Sequence, residues 1–507
     1  YDDTDGDKIR VKLYQRLKYH FQFENNGIFS EIHSHVIFSV NVLSSRSDTI
    51  LFEHISNVTN VKSIDKIYSN NDNKYYGIKT KDNKPEINGN KQRIIKVNGE
   101  FLNAIFPVLG GSSSPNSIPL PVIHDNRLVQ AILKITSSRL LRDIRETISN
   151  KEAFRETQAK KNGELVKVDN QPESIDDLVL GASQIYVGNS LYKQPNINCS
   201  SSTDFSVIDH QMITESHIPR ALFKLTNKGK EKTRFINDYY LVNRMMVDTT
   251  WPRTYVSAIL PPRVKTIHAL FSCHFSDKKD LISFAAFSQS ILYDFIIKVK
   301  GKSNVVFKQI ESLPVPDKYS KQIMARALRL QCHTLFYAEL WSSNFCDEFR
   351  LDSFSKTLAS ESGSENDWNV LTDEWESKVA LKSPFYRRQA QLEIDVLVAR
   401  HFGLSREELI SIYQIQFFGL QKVEDNTFFD QKGEIVFTTS TSQTENCVER
   451  AVWNTIKDMQ EGEVHTHIIK KSELYKEKEV KYYAPFDKCD RVEDYKTAWA
   501  HFEEIFK

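Results

Sequence analysis

Two β-strands are predicted within Lys18–Ser45, which reads KYHFQFENNGIFSEIHSHVIFSVNVLSS. Aromatic and β-branched residues alternate with polar ones on both sides of the turn-rich centre, at Tyr19, Phe21 and Phe23 and then at Val36, Phe38, Val40 and Val42. A period of two with these residue types is typical of strands. We therefore expect the chain to open with two strands of one sheet.

A linker is predicted downstream of this sheet. The segment Gly110–Pro121, GGSSSPNSIPLP, can continue neither a helix nor a central strand. With about 150 residues per domain as a guide, the 507 residues are expected to form three domains. We place these domains at residues 1–110, 120–320 and 321–507.

Apolar spacing predicts helices, most of them in the last third of the chain. Helical patterns cover Leu128–Asn150, Phe284–Gly301, Ile323–Leu340, Pro384–Phe402 and Val492–Phe506. Two of these helices are expected to stop at a glycine, which commonly takes the left-handed position past a helix end. The last third is therefore expected to be mainly helical.

Short sequence patterns predict strands and turns between these helices. The segments Leu178–Lys193 and Arg253–Pro262 contain β-branched runs that stop at Gly-Asn and at Pro-Pro, as strands do before turns. A hairpin is expected around Gly433–Phe437, and Ser405 with Glu408 forms a capping-box pattern. Together these signals predict a mixed α/β (α+β) fold.

The composition argues against several classes of protein. Apolar residues make up 40% and charged residues 26% of the chain, so neither wholesale disorder nor a membrane-embedded chain is expected. The 67 basic and 66 acidic residues give a net charge of +1, which argues against a simple polycation. Six widely separated cysteines without a C-x-x-C pair indicate a reducing, cytoplasmic setting. Because the chain starts at Tyr1 rather than at Met, we expect it to be part of a longer protein.

Catalytic motifs are not found in the sequence. The segment Val108–Pro115, VLGGSSSP, contains a Gly pair, but its proline and the missing helix start indicate a loop rather than a cofactor site. The Pro-Pro pair at Pro261 follows Leu260, so the Asn/Asp-Pro-Pro-aromatic signature of adenine methyltransferases is absent. P-loop, H-E-x-x-H and G-x-S-x-G patterns are absent too. We therefore assign no catalytic residue and no cofactor site.

Two histidine pairs and one charged triplet give weaker signals. His33 with His35, and His465 with His467, are spaced by two, which puts both rings on one face of a strand. Neither pair has a clear third ligand nearby, so we interpret them as polar strand faces and assign no metal ligand. The E-x-K triplet at Glu376 matches half of a nuclease triad, but such triplets are common by chance in a highly charged chain.

Basic residues concentrate between Pro219 and Lys308. This window has 16 basic and six acidic residues, a net charge of +10, which leaves −9 for the rest of the chain. Aromatic residues are interleaved with the charges, at Phe223, Phe235, Tyr239, Tyr240, Trp251 and Tyr255. Such a segment suits phosphate contacts combined with base stacking. The alternative interpretation is a solvated surface over core aromatics.

Several strings, taken in order, resemble the C-terminal part of large adenine-N6 DNA methyltransferases of the type IIG and DISARM-associated kind. Besides Lys18–Ser45, these strings are QIYVGNSLYK (Gln184–Lys193), AILPPRVKTIHALFSCHF (Ala258–Phe275), KGKSNVVFKQIESLPVPD (Lys300–Asp317), ARALRLQCHTLFYAELW (Ala325–Trp341), RRQAQLEIDVLVARHFGLSREELISIYQIQF (Arg387–Phe417), FDQKGEIVF (Phe429–Phe437) and CDRVEDYKTAWAHFEEIF (Cys489–Phe506). The run Phe284–Asp317 is also similar to target-recognition domains of type I specificity subunits. The resemblance extends over nearly the whole chain.

The resemblance implies an architecture and a function. The architecture is the closing strands of a Rossmann-like methyltransferase sheet, then an α/β target-recognition domain, then a mainly helical domain. The function is recognition of a specific double-stranded DNA sequence in a bacterial restriction-modification or phage-defence system. An N-terminal methyltransferase portion or subunit would bind S-adenosylmethionine and methylate a flipped adenine. Helicase or nuclease subunits are further candidate partners, and enzyme activity of this chain alone stays open.

DNA contacts are predicted at nine polar residues. The preferred ones follow the helix that is expected to end at Gly301, and the others lie upstream; in order of preference they are Lys298, Lys300, Lys302, Asn304, Arg253, Arg263, Lys265, Arg244 and Lys193. Such side chains hold phosphates or read base edges in the major groove. Two alternatives remain: a protein–protein scaffold that docks a helicase or nuclease partner, and a diverged nuclease or methyltransferase.

Overall fold

The computed structural model describes residues 6–33, 36–80, 82, 84–109, 114–149, 154–201, 204–233, 237–358, 365–475 and 477–506. Helices and short strands follow one another along these residues. The fold is mixed α/β, as the sequence predicts.

Helix outweighs strand after residue 320. The α-helices are α1 (Asp7–Tyr14), α2 (Lys62–Ser69), α3 (Gly99–Leu109), α4 (Arg127–Thr136), α5 (Glu156–Lys161), α6 (Asn227–Thr233), α7 (Lys278–Ser288), α8 (Ile291–Lys300), α9 (Phe307–Ile310), α10 (Lys321–Gln331), α11 (Ala338–Ser342), α12 (Pro384–His401), α13 (Arg406–Gln416), α14 (Phe418–Glu424), α15 (Arg450–Ile456) and α16 (Arg491–Ile505).

The strands form several small sheets. They are β1 (Leu17–Glu24), β2 (Ile37–Leu43), β3 (Leu51–Val58), β4 (Ile95–Asn98), β5 (Ile148–Ser149), β6 (Leu165–Asn170), β7 (Val179–Leu180), β8 (Lys193–Pro195), β9 (Phe205–Val207), β10 (Ala221–Leu225), β11 (Tyr240–Arg244), β12 (Ser257–Leu260), β13 (Lys265–Thr266), β14 (Leu270–Phe275), β15 (Phe428–Phe429), β16 (Ile435–Phe437), β17 (Val464–Ile469), β18 (Lys478–Tyr483) and β19 (Asp487–Lys488). Their orders are β2-β1-β3-β4, β13-β7-β10-β6, β12-β11-β14-β5, β16-β15-β19, β17-β18 and β8-β9.

The two strands expected at the start of the chain are confirmed. Strands β1 and β2 pair antiparallel, with Phe23 opposite Phe38 and their rings stacked at a centroid distance of 5.2 Å. Strand β3 then pairs with β1 in parallel, which makes this a mixed sheet. Its assignment to a methyltransferase sheet remains a prediction.

The single helix expected over Phe284–Gly301 is wrong, because the chain bends there. Helices α7 and α8 meet at 74°. Ser290 between them has extended backbone, and the first N–H of α8, at Ile291, donates to the carboxylate of Asp395 at 2.8 Å. A carboxylate at a helix N-terminus satisfies a donor that the helix itself leaves free. The end at Gly301 is confirmed, with φ +61°.

Two other predicted helices are shorter than expected. Helix α10 ends at Gln331 because the chain turns at Thr334, and the N–H of Leu335 donates to the backbone carbonyl of Glu215 instead of continuing the helix. Helix α4 ends at Thr136, and a 3-10 segment, Leu141–Thr147, replaces the rest of the expected helix. Element boundaries are the least reliable part of a prediction from pattern alone.

The other C-terminal elements agree with the sequence. Helix α12 stops before Gly403, which has φ +67°. The capping box is present, since the Glu408 N–H donates to Ser405 Oγ at 3.2 Å and the Ser405 N–H donates to the Glu408 carboxylate at 2.6 Å. The hairpin of β15 and β16 and the last helix, α16, are also confirmed.

One hydrophobic core runs through the described chain. Buried members include Tyr14 of α1, Ile259 of β12, Phe287 of α7, Leu397 of α12 and Phe502 of α16. The N-terminal sheet, the central strands and the C-terminal helices therefore pack on shared interior residues. The division into three domains remains a prediction.

The length and composition of the described helices determine whether one of them could span a membrane. None is by itself long and apolar enough to cross a membrane, and only the bent pair of α7 and α8 reaches that length when the two are joined.

Candidate nucleic-acid interface

A cleft of about 970 Å³ opens between the central strands and the C-terminal part of the chain. One wall comes from residues 182–209 and 244–253, and the other from residues 382–391 and 418–491. Its lining is rich in cations, which are Lys79, Lys193, Arg244, Arg253, Lys382, Arg387, Arg388, Lys422, Lys478 and Arg491. Aromatic rings stand among them, at Tyr186, Tyr192, Trp251, Phe418, Phe429, Tyr475 and Tyr482.

The carboxylates that line the cleft do not cancel this charge. Asp209 is paired with Lys478. Although burial opposes its ionisation, Arg388 and Arg491 hold the pKa of Glu424 at about 2, and both form ion pairs with it. Burial and the neighbouring charges of Asp209 and Asp430 raise the pKa of Glu434 to about 8, which disfavours its ionised form at neutral pH. The cleft is therefore electropositive.

Six of the lining cations have no carboxylate partner among the described residues, namely Lys79, Lys193, Arg244, Lys382, Arg387 and Lys422. Several are fixed by other contacts. The Arg244 guanidinium donates to the carbonyls of Ala182 and Ile185 at 2.9 and 2.5 Å. The Lys79 ammonium lies 4.9 Å from the centroid of the Phe418 ring. Cations held without a counter-ion are suited to bind phosphate.

The floor of the cleft is a buried ion network. Arg491 pairs with Asp395 and Glu424, each at 2.8 Å, and Arg388 pairs with Glu424 at 3.0 Å and with Asp494 at 2.7 Å. Because Asp395 also accepts the first N–H of α8, the network ties that helix to α12 and α16. The cations of this network are thus structural.

Trp251 stands at the cleft with 43% of its surface exposed, on a loop that is held at several points. Lys298 Nζ donates to the carbonyl of Thr249, and Arg253 pairs with the buried Asp294. The backbone of this loop also packs on Gly419, where a Cβ atom would lie 2.6 Å from the carbonyl oxygen of Thr250. The loop therefore presents an exposed indole from a rigid support.

Three of the nine predicted contacts line the cleft, namely Lys193, Arg244 and Arg253. Lys193 and Arg244 have no carboxylate partner in the described part of the chain. Arg253 is buried, with its guanidinium on Asp294 and on the carbonyl of Gln289 at 2.7 Å. Its placement fits a positioning role under the Trp251 loop better than a phosphate contact.

The side chains of Lys298 and Lys300, two of the preferred DNA contacts in the sequence analysis, point into the protein rather than to its surface. Lys298 is 4% exposed and lies 5.1 Å from the centroid of the Phe417 ring. Lys300 donates to the carbonyl of Gln309 at 2.8 Å, and burial lowers its pKa to about 7. Neither ammonium is placed to reach a phosphate, which corrects the expectation from the sequence.

The remaining predicted contacts lie outside the cleft. Arg263 pairs with Asp176 at 3.1 Å, and Lys265 donates to the carbonyl of the same residue at 2.9 Å. Lys302 is half-buried, and Asn304 is exposed beyond α8, next to Met246 in a β-bridge. The structure thus does not bring these four side chains to the cleft.

Four cations of the basic window are paired with acids from outside it. Lys230 pairs with Asp177, Lys232 with Glu164, Arg263 with Asp176 and Lys278 with Glu339. Of its aromatic residues, Phe223, Tyr239, Tyr240 and Tyr255 are buried in the core, and Phe235 lies outside the described residues. Only Trp251 among the described ones is exposed, so the solvated-surface interpretation holds for most of the window.

The weaker motifs do not assemble a catalytic or metal site in the described chain. The rings of His465 and His467 lie 6.1 Å apart on β17, without a third ligand, and His35 lies outside the described residues. Lys378 of the E-x-K triplet pairs with its own Glu376 at 2.8 Å. Leu260 before the Pro-Pro pair is buried and apolar, so it cannot accept a hydrogen bond from an adenine amino group.

The sequence reasoning missed the C-terminal wall of the cleft. Lys382, Arg387 and Lys422 lie more than 70 residues beyond the basic window, and Lys79 lies far before it. A window of local charge cannot find cations that only the fold brings together. Gly419, which permits the close approach of the Trp251 loop, gives no signal in the sequence either.

Lys298 should make stability depend on pH. Burial lowers its pKa to about 8, whereas an unfolded lysine titrates near 10.4. Between these values the unfolded chain binds a proton that the folded chain does not, so the free energy of unfolding rises with pH across this window. Lys298→Met should reduce that rise by up to about 1.4 kcal/mol per pH unit, measured by urea unfolding from pH 7 to 10.5. Lys279→Met, at an exposed lysine, is the control. If the free energy of unfolding rose equally with pH in the wild type and in both variants, the lowered pKa of Lys298 would be contradicted.

No family model matches the chain, and no curated protein matches it. A solved structure of a type IIL restriction-modification enzyme, MmeI, in complex with DNA is similar over 80% of this chain, with 10% sequence identity and a TM-score of 0.31. The matched region covers 46% of that enzyme, so this chain spans less than half of it. Similarity at this level does not establish a shared fold.

Proposed function

We propose that this chain is the DNA-recognition part of a site-specific adenine-N6 DNA methyltransferase of a bacterial restriction-modification or phage-defence system. The observation that carries the DNA-binding part is the electropositive cleft, with six cations that lack a carboxylate partner in the described chain. Phosphate binding needs such cations. The link to adenine methylation is supported by the family resemblance of the sequence.

In this proposal a duplex lies across the mouth of the cleft. Lys79, Lys193 and Lys422 hold its phosphates, and the polar side chains between the two walls read its sequence. A methyltransferase portion or subunit supplies S-adenosylmethionine and the catalytic loop, because the 507 residues contain no motif for either. Base recognition and catalysis are then divided between two parts of one system.

Selection from a randomised duplex library tests the proposal. The chain should enrich one sequence that contains adenine, because a target-recognition part must discriminate between sites. The Lys79→Ala/Lys193→Ala/Lys422→Ala variant should no longer enrich that sequence, because it binds duplex DNA much more weakly. Retention of duplexes without any enriched sequence would refute specific recognition, and failure to retain duplex DNA at all would refute the proposal as a whole.

A further inference from the structure

We propose that the interior of the cleft binds a short unpaired stretch of DNA, with Trp251 as the stacking platform. The inference rests on the proposed function and names the form of DNA that enters the site. A volume of about 970 Å³ lies at the upper end of small-ligand pockets. It accommodates a few nucleotides of one strand, whereas the paired strands of a duplex stay at the mouth.

Trp251 has the properties of a stacking platform. Its indole is 43% exposed, although tryptophan is usually highly buried. Lys298, Arg253 and Gly419 hold its loop, so little conformational freedom is lost when a base stacks on it. Met246, which is 75% exposed, lines the same cleft and adds a second apolar surface to it.

The unpaired lysines of the cleft are also suited to bind the phosphates of a single DNA strand. Lys193 and Lys422 line the same cleft as Trp251 and have no carboxylate partner among the described residues. Proteins that bind single strands combine such a basic groove with aromatic rings on which bases stack. The cleft has both features on its two walls.

Duplexes with and without a central unpaired bubble test this inference by fluorescence anisotropy. The wild-type chain should bind the bubble duplex more tightly than the fully paired duplex. Trp251→Ala should weaken binding of the bubble duplex about tenfold, since one base–aromatic stack is lost, and should leave the paired duplex nearly unchanged. Trp251→Phe should keep most of the preference, and Tyr319→Ala, at an exposed aromatic outside the cleft, should keep all of it.

The outcomes separate this inference from the proposed function. If the paired duplex binds but the bubble gives no gain, or if Trp251→Ala weakens both duplexes equally, the inference is wrong and the proposed function stands. If neither duplex binds, the proposed function is wrong. Circular dichroism of Trp251→Ala at the assay temperature shows that the variant is folded.

Discussion

Replacing Arg326 by methionine should lower the free energy of unfolding by about 3–5 kcal/mol. The guanidinium is fully buried in α10 and donates to Glu393 at 2.6 Å and to Asp352 at 2.5 Å. Both carboxylates are buried too, so the variant leaves two charges in the interior without a cation. Urea unfolding followed by circular dichroism measures the loss.

Arg326 also organises the aromatic cluster around it. Its guanidinium carbon lies 5.0 Å from the centroid of Phe502 and 5.2 Å from that of Trp368. The double variant Arg326→Met/Glu393→Met should recover part of the lost stability, because one of the stranded charges is removed. Arg406→Met, at an exposed pair with Glu407, should change stability little. A loss at Arg326 no larger than at Arg406 would contradict the buried network.

Removing three cleft lysines should weaken duplex binding about a hundredfold at physiological salt. The variant is Lys79→Ala/Lys193→Ala/Lys422→Ala, whose side chains line the cleft without a carboxylate partner in the described chain. Each phosphate contact contributes about 0.9 to the slope of log affinity against log salt, so the slope should become shallower by about three. Anisotropy titrations at several salt concentrations measure both effects.

A matched control separates the cleft from general charge. Lys96→Ala/Lys161→Ala/Lys457→Ala removes the same number of charges from exposed positions outside the cleft. Its affinity should stay close to that of the wild type, and its salt slope should be unchanged. Equal weakening by the two triple variants would mean that the protein binds DNA through its overall charge and not through the cleft.

The local elements of the fold could be predicted because their signals are local. Alternation at Tyr19–Phe23 gave the first strand, and Ser405 with Glu408 gave the start of α13. The bend between α7 and α8 could not be predicted, because it depends on the carboxylate of Asp395, which lies 104 residues further along the chain. Periodicity continues through such a bend, whereas the backbone does not.

The candidate site was predictable only in part. Lys193, Arg244 and Arg253 reach the cleft, whereas Lys298 is buried below it. A sequence gives the charge of a lysine but not its partner, and tertiary contacts decide whether the ammonium faces water. Lys298 and Arg253 were predicted as DNA contacts, and their positions indicate instead that they support the loop of Trp251.

Crosslinking of a photoreactive duplex, followed by mass spectrometry, tests most directly where DNA lies on this protein. We expect crosslinks in peptides that line the cleft, above all those with Lys193 and Lys422, and their loss in the triple lysine variant. Crosslinks at the loop of Lys302 and Asn304 or at Arg263, with none in the cleft, would contradict it.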